Sequence, residues 1–150
     1  MKNLFNQEHV NEVLGRIESL TPEKKQNWGK MSVDQMLAHL NVTYEMMYEN
    51  NHPKPNPVMK LILVLLVKNA VVSEKPYKQN GATAPAFLIK GNKDFEAEKQ
   101  RLLGYVNKTL NLGENHFDGL KSHSFGKLNK TEWNNMLYKH LNHHLSQFGV

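Results

Sequence analysis

Three histidines lie within five residues near the carboxyl end of the sequence, in the stretch YKHLNHHLSQ from residue 138 to residue 147. His140 and His144 are four residues apart, so on a helix their side chains share one face, about 5–6 Å apart at Cβ. Two imidazoles at that spacing can ligate one divalent ion at about 2.0–2.1 Å. Such a pair also arises by chance in a histidine-rich helix, so the spacing alone is a weak signal.

The hydrophobic pattern of the same segment orients these side chains. At 100° per residue, one apolar stripe follows the predicted helix, formed by Trp133, Leu137, Leu141, Leu145 and Phe148. His140 and His144 lie along the edge of that stripe, so they are expected to point inward. His143 points away from its centre and is expected to face solvent.

A third histidine has the same position on a second predicted helix. His39 lies at the edge of an apolar stripe that includes Met36 and Leu40. Two helices could therefore direct three imidazoles at one point, and three nitrogen ligands with an open position suit zinc, nickel or another divalent transition ion. For each histidine alone, a hydrogen-bonded or half-exposed polar residue is the commoner alternative. Gln35 is a candidate for orienting His39, because a ligating histidine usually donates its other N–H.

The elements that would position these residues are helices. Apolar periodicity predicts helices over residues 6–19, 32–49, 94–110 and 129–148, with short helices after Pro22 and within 58–72. Ser32 is the expected N-cap of the second helix, and Asn129 and Glu132 form a capping-box pattern at the start of the last.

The segments between these helices are predicted to be irregular. Residues 73–87 form a long connection, residues 111–127 are turn-rich, and no strand pair is predicted. The pattern therefore predicts one all-α domain over residues 1–150, a four-helix bundle with an additional short helix and long connecting loops.

Composition narrows the classes of function. The 150 residues include no cysteine, so any metal must be held by nitrogen and oxygen ligands, and a reducing cytoplasm is the expected compartment. The net charge of +5 comes mostly from single lysines, which predicts a solvated surface and no nucleic-acid partner. The apolar stretch 58–72 is too short to span a bilayer, so it is expected to be buried in the core or at a subunit contact.

Three stretches together resemble a known superfamily. They are NWGKMSVDQMLAHLNVT (27–43), TAPAFLIKGNKDFEAEKQRLL (83–103) and FGKLNKTEWNNMLYKHLNHHLSQFGV (125–150). These segments are similar to a branch of small bacterial proteins of unknown function within the DinB-like superfamily, and the similarity covers most of the chain.

The resemblance implies a four-helix up-down-down-up bundle that binds a divalent metal through His39, His140 and His144, zinc or nickel being the expected ion. Some relatives in the wider superfamily are metal-dependent thiol transferases or isomerases that use low-molecular-weight thiols. The resulting hypothesis is a metal-dependent protein that activates a small thiol or water for transfer or hydrolysis. A coordinated thiol is deprotonated outright, so such a protein needs no cysteine of its own.

An alternative of a different class stays open. The stretch LILVLLV and the methionines of the second helix, Met36, Met46 and Met47, are also typical of a non-catalytic dimeric bundle or a carrier of an apolar small ligand. A homodimer is compatible with either hypothesis. His123 is expected to be a loop histidine bonded to the backbone, and Trp28 and Met31 are expected to pack against the end of the bundle.

Overall fold

The computed structural model describes residues 1–49 and 51–150, and it is mostly helical. The helices are α1 (Gln7–Glu18), α2 (Val33–Tyr48), α3 (Pro57–Leu66), α4 (Lys68–Val72), α5 (Phe95–Phe117) and α6 (Lys130–Gln147). A 3₁₀ turn (Pro85–Phe87) interrupts the long connection before α5, and two short strands, β1 (Lys121–Ser122) and β2 (Gly126–Lys127), pair before α6.

The core forms where α5 packs against α1, α2 and α6, and where α2 also contacts α6. The predicted stripes supply it, because all five apolar residues of the last stripe are buried. Apolar residues at helical spacing are buried on the other long helices as well, which confirms the periodicity; they are Val10, Val13 and Ile17 on α1, Met36 and Leu40 on α2, and Leu102 and Val106 on α5. The predicted up-down-down-up order of the bundle stays a prediction.

The caps predicted from the sequence form on both helices that carry the histidines. The Asn129 side chain accepts from the backbone N–H of Glu132 at 2.9 Å, and the Glu132 carboxylate accepts from the Asn129 N–H at 3.0 Å. At the start of α2, Gln35 Oε1 accepts from the Ser32 N–H at 3.2 Å. Gly149, with φ of 68°, terminates α6 in the left-handed region that glycine favours.

Two local predictions are wrong. The segment after Pro22 forms a turn, not a helix, because EKKQN offers no apolar face to pack on the core. The sequence predicted no strand pair, but β1 and β2 form a hairpin in which Lys121 pairs with Lys127 and Ser122 with Gly126. Two-residue strands are too short to show alternation in the sequence, and their turn is held by the Ser122 hydroxyl, which accepts from the Phe125 N–H at 2.9 Å.

Two helical boundaries also differ from the prediction. The helix predicted to end at residue 110 continues to Phe117, with a break at Gly113, whose φ is 70°. The apolar stretch 58–72 divides into α3 and α4 at Val67. No side chain of α3 is buried, so the core alternative is wrong for this helix, and the alternative of a subunit contact stays a prediction.

The long connection between α4 and α5 is irregular apart from its 3₁₀ turn, as predicted. Side chains of α6 bind the end of α4 and the first residue of the connection. Lys139 Nζ donates to the carbonyls of Ala70 and Ser73 at 2.9 and 2.5 Å, and Asn135 Nδ2 donates to the Val72 carbonyl at 2.9 Å. The connection therefore leaves α4 at a fixed point beside α6. Among the described residues, no helix is long and apolar enough to cross a membrane.

Candidate metal centre

The three predicted ligands meet at one point between α2 and α6. One ring nitrogen from each of His39, His140 and His144 lies within 4.8 Å of the other two. His39 Nε2 and His140 Nε2 are 2.9 Å apart, and the ring centroids of the three side chains lie 4.5–5.0 Å from one another. Ligands at tetrahedral angles around zinc are about 3.3 Å apart, so nitrogens separated by up to 4.8 Å have to approach by as much as about 1.5 Å to share one ion.

His39 is oriented by the backbone of the long connection. Its Nδ1 lies 2.9 Å from the carbonyl oxygen of Phe87, and the Phe87 ring packs 5.4 Å from the imidazole. The 3₁₀ turn presents this carbonyl. Gln35, the predicted partner, instead caps α2 and donates to the Gly91 carbonyl at 3.1 Å. The prediction for Gln35 is wrong because its amide is already bonded at both ends, to the Ser32 N–H and to the Gly91 carbonyl, and the Phe87 carbonyl takes its place beside His39.

His140 is oriented by a side chain of the facing helix. Its Nδ1 lies 3.0 Å from the hydroxyl oxygen of Thr43, which is four residues after His39 on α2. The Phe87 ring also contacts His140 edge-on, at 5.8 Å between centroids. Thr43 and Phe87 therefore hold two of the three imidazoles in place.

His144 is oriented by Gln147 of its own helix, and Gln147 is in turn held by residues 27–29, which we call the NWG segment. Its Nδ1 lies 2.8 Å from Gln147 Oε1, and Gln147 Nε2 donates to the Trp28 carbonyl at 2.7 Å. A Cβ at Gly29 would lie 2.5 Å from Gln147 Nε2, and the φ of Gly29 is 83°, so only glycine fits there. The NWG segment therefore holds the side-chain amide of Gln147, and that amide orients the His144 ring.

These partners determine which nitrogen of each ring carries the hydrogen. The Phe87 carbonyl can only accept, so Nδ1 of His39 is the donor and its Nε2 has a free lone pair. The Gln147 amide is oriented by Trp28, so His144 also donates from Nδ1. The Thr43 hydroxyl can donate or accept, so His140 is the ring whose tautomer can change. With its hydrogen at Nδ1, all three Nε2 lone pairs are available to one cation.

Burial keeps the three imidazoles neutral. His39 is 5% exposed and His144 8% exposed, while His140 retains a partly open surface. Burial, opposed by the bond to Phe87, lowers the pKa of His39, and burial together with His39 lowers the pKa of His144 to about 3. Burial and the neighbouring histidines bring the pKa of His140 well below its ordinary value. At neutral pH the cluster therefore offers uncharged nitrogen ligands.

The donor set fits a transition ion better than magnesium or calcium. Within the described ranges, the cluster contains three imidazoles and no carboxylate, and its orienting partners Thr43, Gln147 and the Phe87 carbonyl are uncharged. Imidazole suits zinc, nickel and similar ions, whereas magnesium and calcium require oxygen ligands. The protein would leave the charge of a bound divalent ion uncompensated, which favours an anion at the open position.

Two further histidines, His143 and His123, lie outside the cluster. His143 was predicted to face solvent, but it is half-buried, with its ring 5.9 Å from Trp28, 5.7 Å from Tyr77 and 4.9 Å from His144. The long connection and the NWG segment cover this face of α6, which the helix phase alone does not reveal. His123 interacts with the His52 carbonyl at 3.4 Å and the Ser124 hydroxyl at 3.0 Å, confirming a loop histidine bonded to backbone.

Sequence reasoning missed the residues that orient the imidazoles. Gln147 follows His144 by three positions, a helical spacing that brings side chains together, so this partner could have been found. Thr43 is four residues after His39 but serves His140, which only the packing of α2 on α6 reveals. Phe87 acts through its backbone carbonyl, for which the side-chain sequence carries no signal.

The fold and the cluster define a class, a mostly helical protein with a buried three-histidine cluster between two helices. A family model described as "Protein of unknown function (DUF1569)" matches residues 2–149, and the chain belongs to this family. Comparison with curated proteins and with solved structures found no match. The family description states no activity, so the site itself carries the functional argument.

Proposed function

We propose that this is a cytoplasmic, DinB-like protein that binds one divalent transition ion, zinc or nickel, through His39, His140 and His144 in an up-down-down-up helical bundle. The observation that carries the proposal is the convergence of three nitrogens within 4.8 Å, each ring with a separate partner at Nδ1. Such partners fix the ring orientation and raise the basicity of ligating histidines in metalloproteins.

The chemistry that suits this site is activation of a small thiol or of water. A bound divalent ion would lower the pKa of a thiol or water molecule at its open position. The chain contributes neutral ligands and no carboxylate, so the developing anion meets no negative side chain in the cluster. Because the chain has no cysteine, a thiol would have to come from a small-molecule substrate, for transfer to an electrophile.

The carrier alternative receives less support from the structure. Met36 is fully buried in the core, so it lines no open binding surface. Two cavities near α6, of about 230 and 190 Å³, include none of the α2 methionines among their lining residues. The dimeric alternative concerns α3 and is compatible with a metal centre.

Elemental analysis tests the metal part of the proposal. Protein purified without a histidine tag should contain about one zinc or nickel per chain, and a His140→Ala/His144→Ala variant should contain almost none. His143→Ala is the matched control, since it removes the adjacent histidine that lies outside the cluster, and it should keep the metal. Equal metal content in the wild type and the double variant would refute the site.

A conjugation assay tests the reaction. The metal-loaded protein is incubated with a low-molecular-weight thiol and a panel of electrophiles, and thiol consumption is followed with and without a chelator. The expected result is a rate above background that both the chelator and the double variant abolish. A rate that persists in the double variant would show that the cluster is not the site of reaction, whatever its metal content.

A further inference from the structure

Helix α3 exposes an unusual amount of apolar surface. None of its ten residues is buried, and its main packing contact is with the short helix α4. Six large aliphatic side chains are between 42% and 77% exposed, namely Val58, Met59, Leu61, Ile62, Leu65 and Leu66. We refer to these six residues as the α3 face.

The α3 face is continuous and carries no charge. At 100° per residue, its members cover an arc of about 160°, and Lys60 lies on the opposite side of the helix. Val58, Leu61 and Leu65 form one row at i, i+3, i+7, and Met59, Ile62 and Leu66 form a second row with the same spacing. This is the spacing by which one helix packs against another.

A helix of this length needs a partner to be stable in water. Isolated helices shorter than about 12–15 residues are marginal, and most helical stability in proteins comes from packing of an apolar face. The Asn56 side chain caps α3 at the Met59 N–H at 2.8 Å, with Pro57 at the first position, but such a cap contributes only about 1 kcal/mol. A covering surface is therefore required.

We infer that the α3 face is covered by the α3 face of a second copy of this chain, in a two-fold symmetric dimer. From their exposed fractions, the six side chains offer on the order of 600 Å² of solvent-accessible surface per chain. This area is close to the roughly 800 Å² that each partner contributes to a standard interface. A purely aliphatic surface needs no complementary polar groups, so an identical surface can pair with it.

A lipid surface fits this face less well. Helices that lie in a membrane interface combine an apolar face with a basic polar face and aromatic residues at the boundary. Residues 57–72 contain no aromatic residue, and Lys60 is the one charged residue within α3. The next lysine, Lys68, is paired with Glu132 at 2.8 Å.

Sedimentation equilibrium of the full chain tests the inference. The wild type at tens of micromolar should have twice the 17.3 kDa mass of the chain, and Leu65→Lys should have the single-chain mass with unchanged helical circular dichroism. Leu112→Lys, the same change at an exposed leucine of α5, should remain dimeric. A wild type that stays monomeric at this concentration overturns the inference, as does a monomer that co-sediments with anionic phospholipid vesicles.

Cross-linking provides a second measurement that does not depend on a disrupted variant. Because the chain has no cysteine, one introduced thiol reports on one position. Ile62→Cys at the centre of the α3 face should form a disulfide-linked dimer on mild oxidation, whereas Gln100→Cys on the exposed surface of α5 should not. Equal cross-linking at both positions would indicate random collision and contradict a dimer through α3.

Discussion

Each imidazole of the cluster is held at Nδ1 by a partner from a different part of the chain. His39 is bonded to the Phe87 carbonyl, His140 to Thr43 and His144 to Gln147. A core histidine needs its hydrogen bonds satisfied, but it does not need its second nitrogen directed at two other imidazoles. The convergence of one ring nitrogen from each of the three residues is therefore the feature that distinguishes a ligand set from three unrelated polar residues.

Substitution of Thr43 tests how the orientation of His140 affects zinc affinity. Thr43→Val keeps the shape of the side chain but removes the oxygen beside His140 Nδ1, so that imidazole loses its orienting partner. Loss of such a partner typically weakens metal affinity by about 10–100-fold. We expect a decrease in zinc affinity of that size, measured by competition with a chromophoric chelator.

The matched control is Thr43→Ser, which keeps the hydroxyl and should bind zinc within a few-fold of the wild type. Both variants should unfold within about 1–2 kcal/mol of the wild type, because Thr43 is only partly buried. Equal zinc affinity in the valine and serine variants would show that the hydroxyl does not orient His140.

Between elements, an ionic network joins α2 to α5 away from the histidine cluster. Arg101 of α5 and His52 both contact the carboxylate of Glu45, which lies on α2. Arg101 also pairs with Glu98 at 2.9 Å. This network lies on the flank of the most extensive helix–helix contact in the described chain and should contribute to its stability.

Glu45 gives this contact a predictable pH dependence. Burial raises the pKa of Glu45, but the bonds from His52 and Arg101 outweigh burial and leave the pKa below its ordinary value. A carboxylate with a lowered pKa in the folded state stabilises the protein above the unfolded value, near 4.5, and loses that contribution as pH falls through the folded value. Glu45→Gln should therefore lower the free energy of unfolding by about 1 kcal/mol at pH 7, and by much less at pH 3.

Urea unfolding at both pH values measures the effect. Glu23→Gln, which changes an exposed carboxylate in the connection between α1 and α2, is the control and should cost little at either pH. A deficit of the Glu45 variant that is the same at pH 7 and pH 3 would mean that packing, and not charge, accounts for it.

The elements differ in how far the sequence could predict them. Helices α1, α2, α5 and α6 are long and amphipathic, so their existence and their buried faces follow from periodicity alone. The hairpin depends on local hydrogen bonds such as that of the Ser122 hydroxyl. The segment after Pro22 forms a turn because it has no apolar face that could pack on the core. For α3, the apolar run indicates that the helix is covered, but it does not tell whether the covering surface belongs to the same chain or to another molecule.

The candidate site was predicted to a similar extent. Helix phase placed His39, His140 and His144 at inner edges, and the structure brings them together. The Phe87 carbonyl and the cover over His143 could not be predicted, because both depend on the path of an irregular connection of about twenty residues. That path is fixed by contacts such as Lys139 with Ser73, which join residues far apart in the sequence.

At the scale of the whole molecule, the cluster connects segments that are distant along the chain. It joins the NWG segment, α2, the long connection and α6 through direct bonds at a single point. An ion bound by folded ligands and not by the unfolded chain stabilises the entire fold, by about 2.7 kcal/mol when free ion is at 100 times its dissociation constant. The site should therefore be visible in global unfolding.

Thermal unfolding with and without a chelator measures this linkage. For a domain of this size, about 2.7 kcal/mol corresponds to a shift of roughly 5–10 °C, so excess chelator should lower the midpoint of the zinc-loaded wild type by that amount. His143→Ala should show the same shift, and His140→Ala/His144→Ala should show none. Because all four segments meet at the cluster, circular dichroism and tryptophan fluorescence should report a single coincident transition in both states. A wild-type midpoint that the chelator does not change would mean that no ion links these segments.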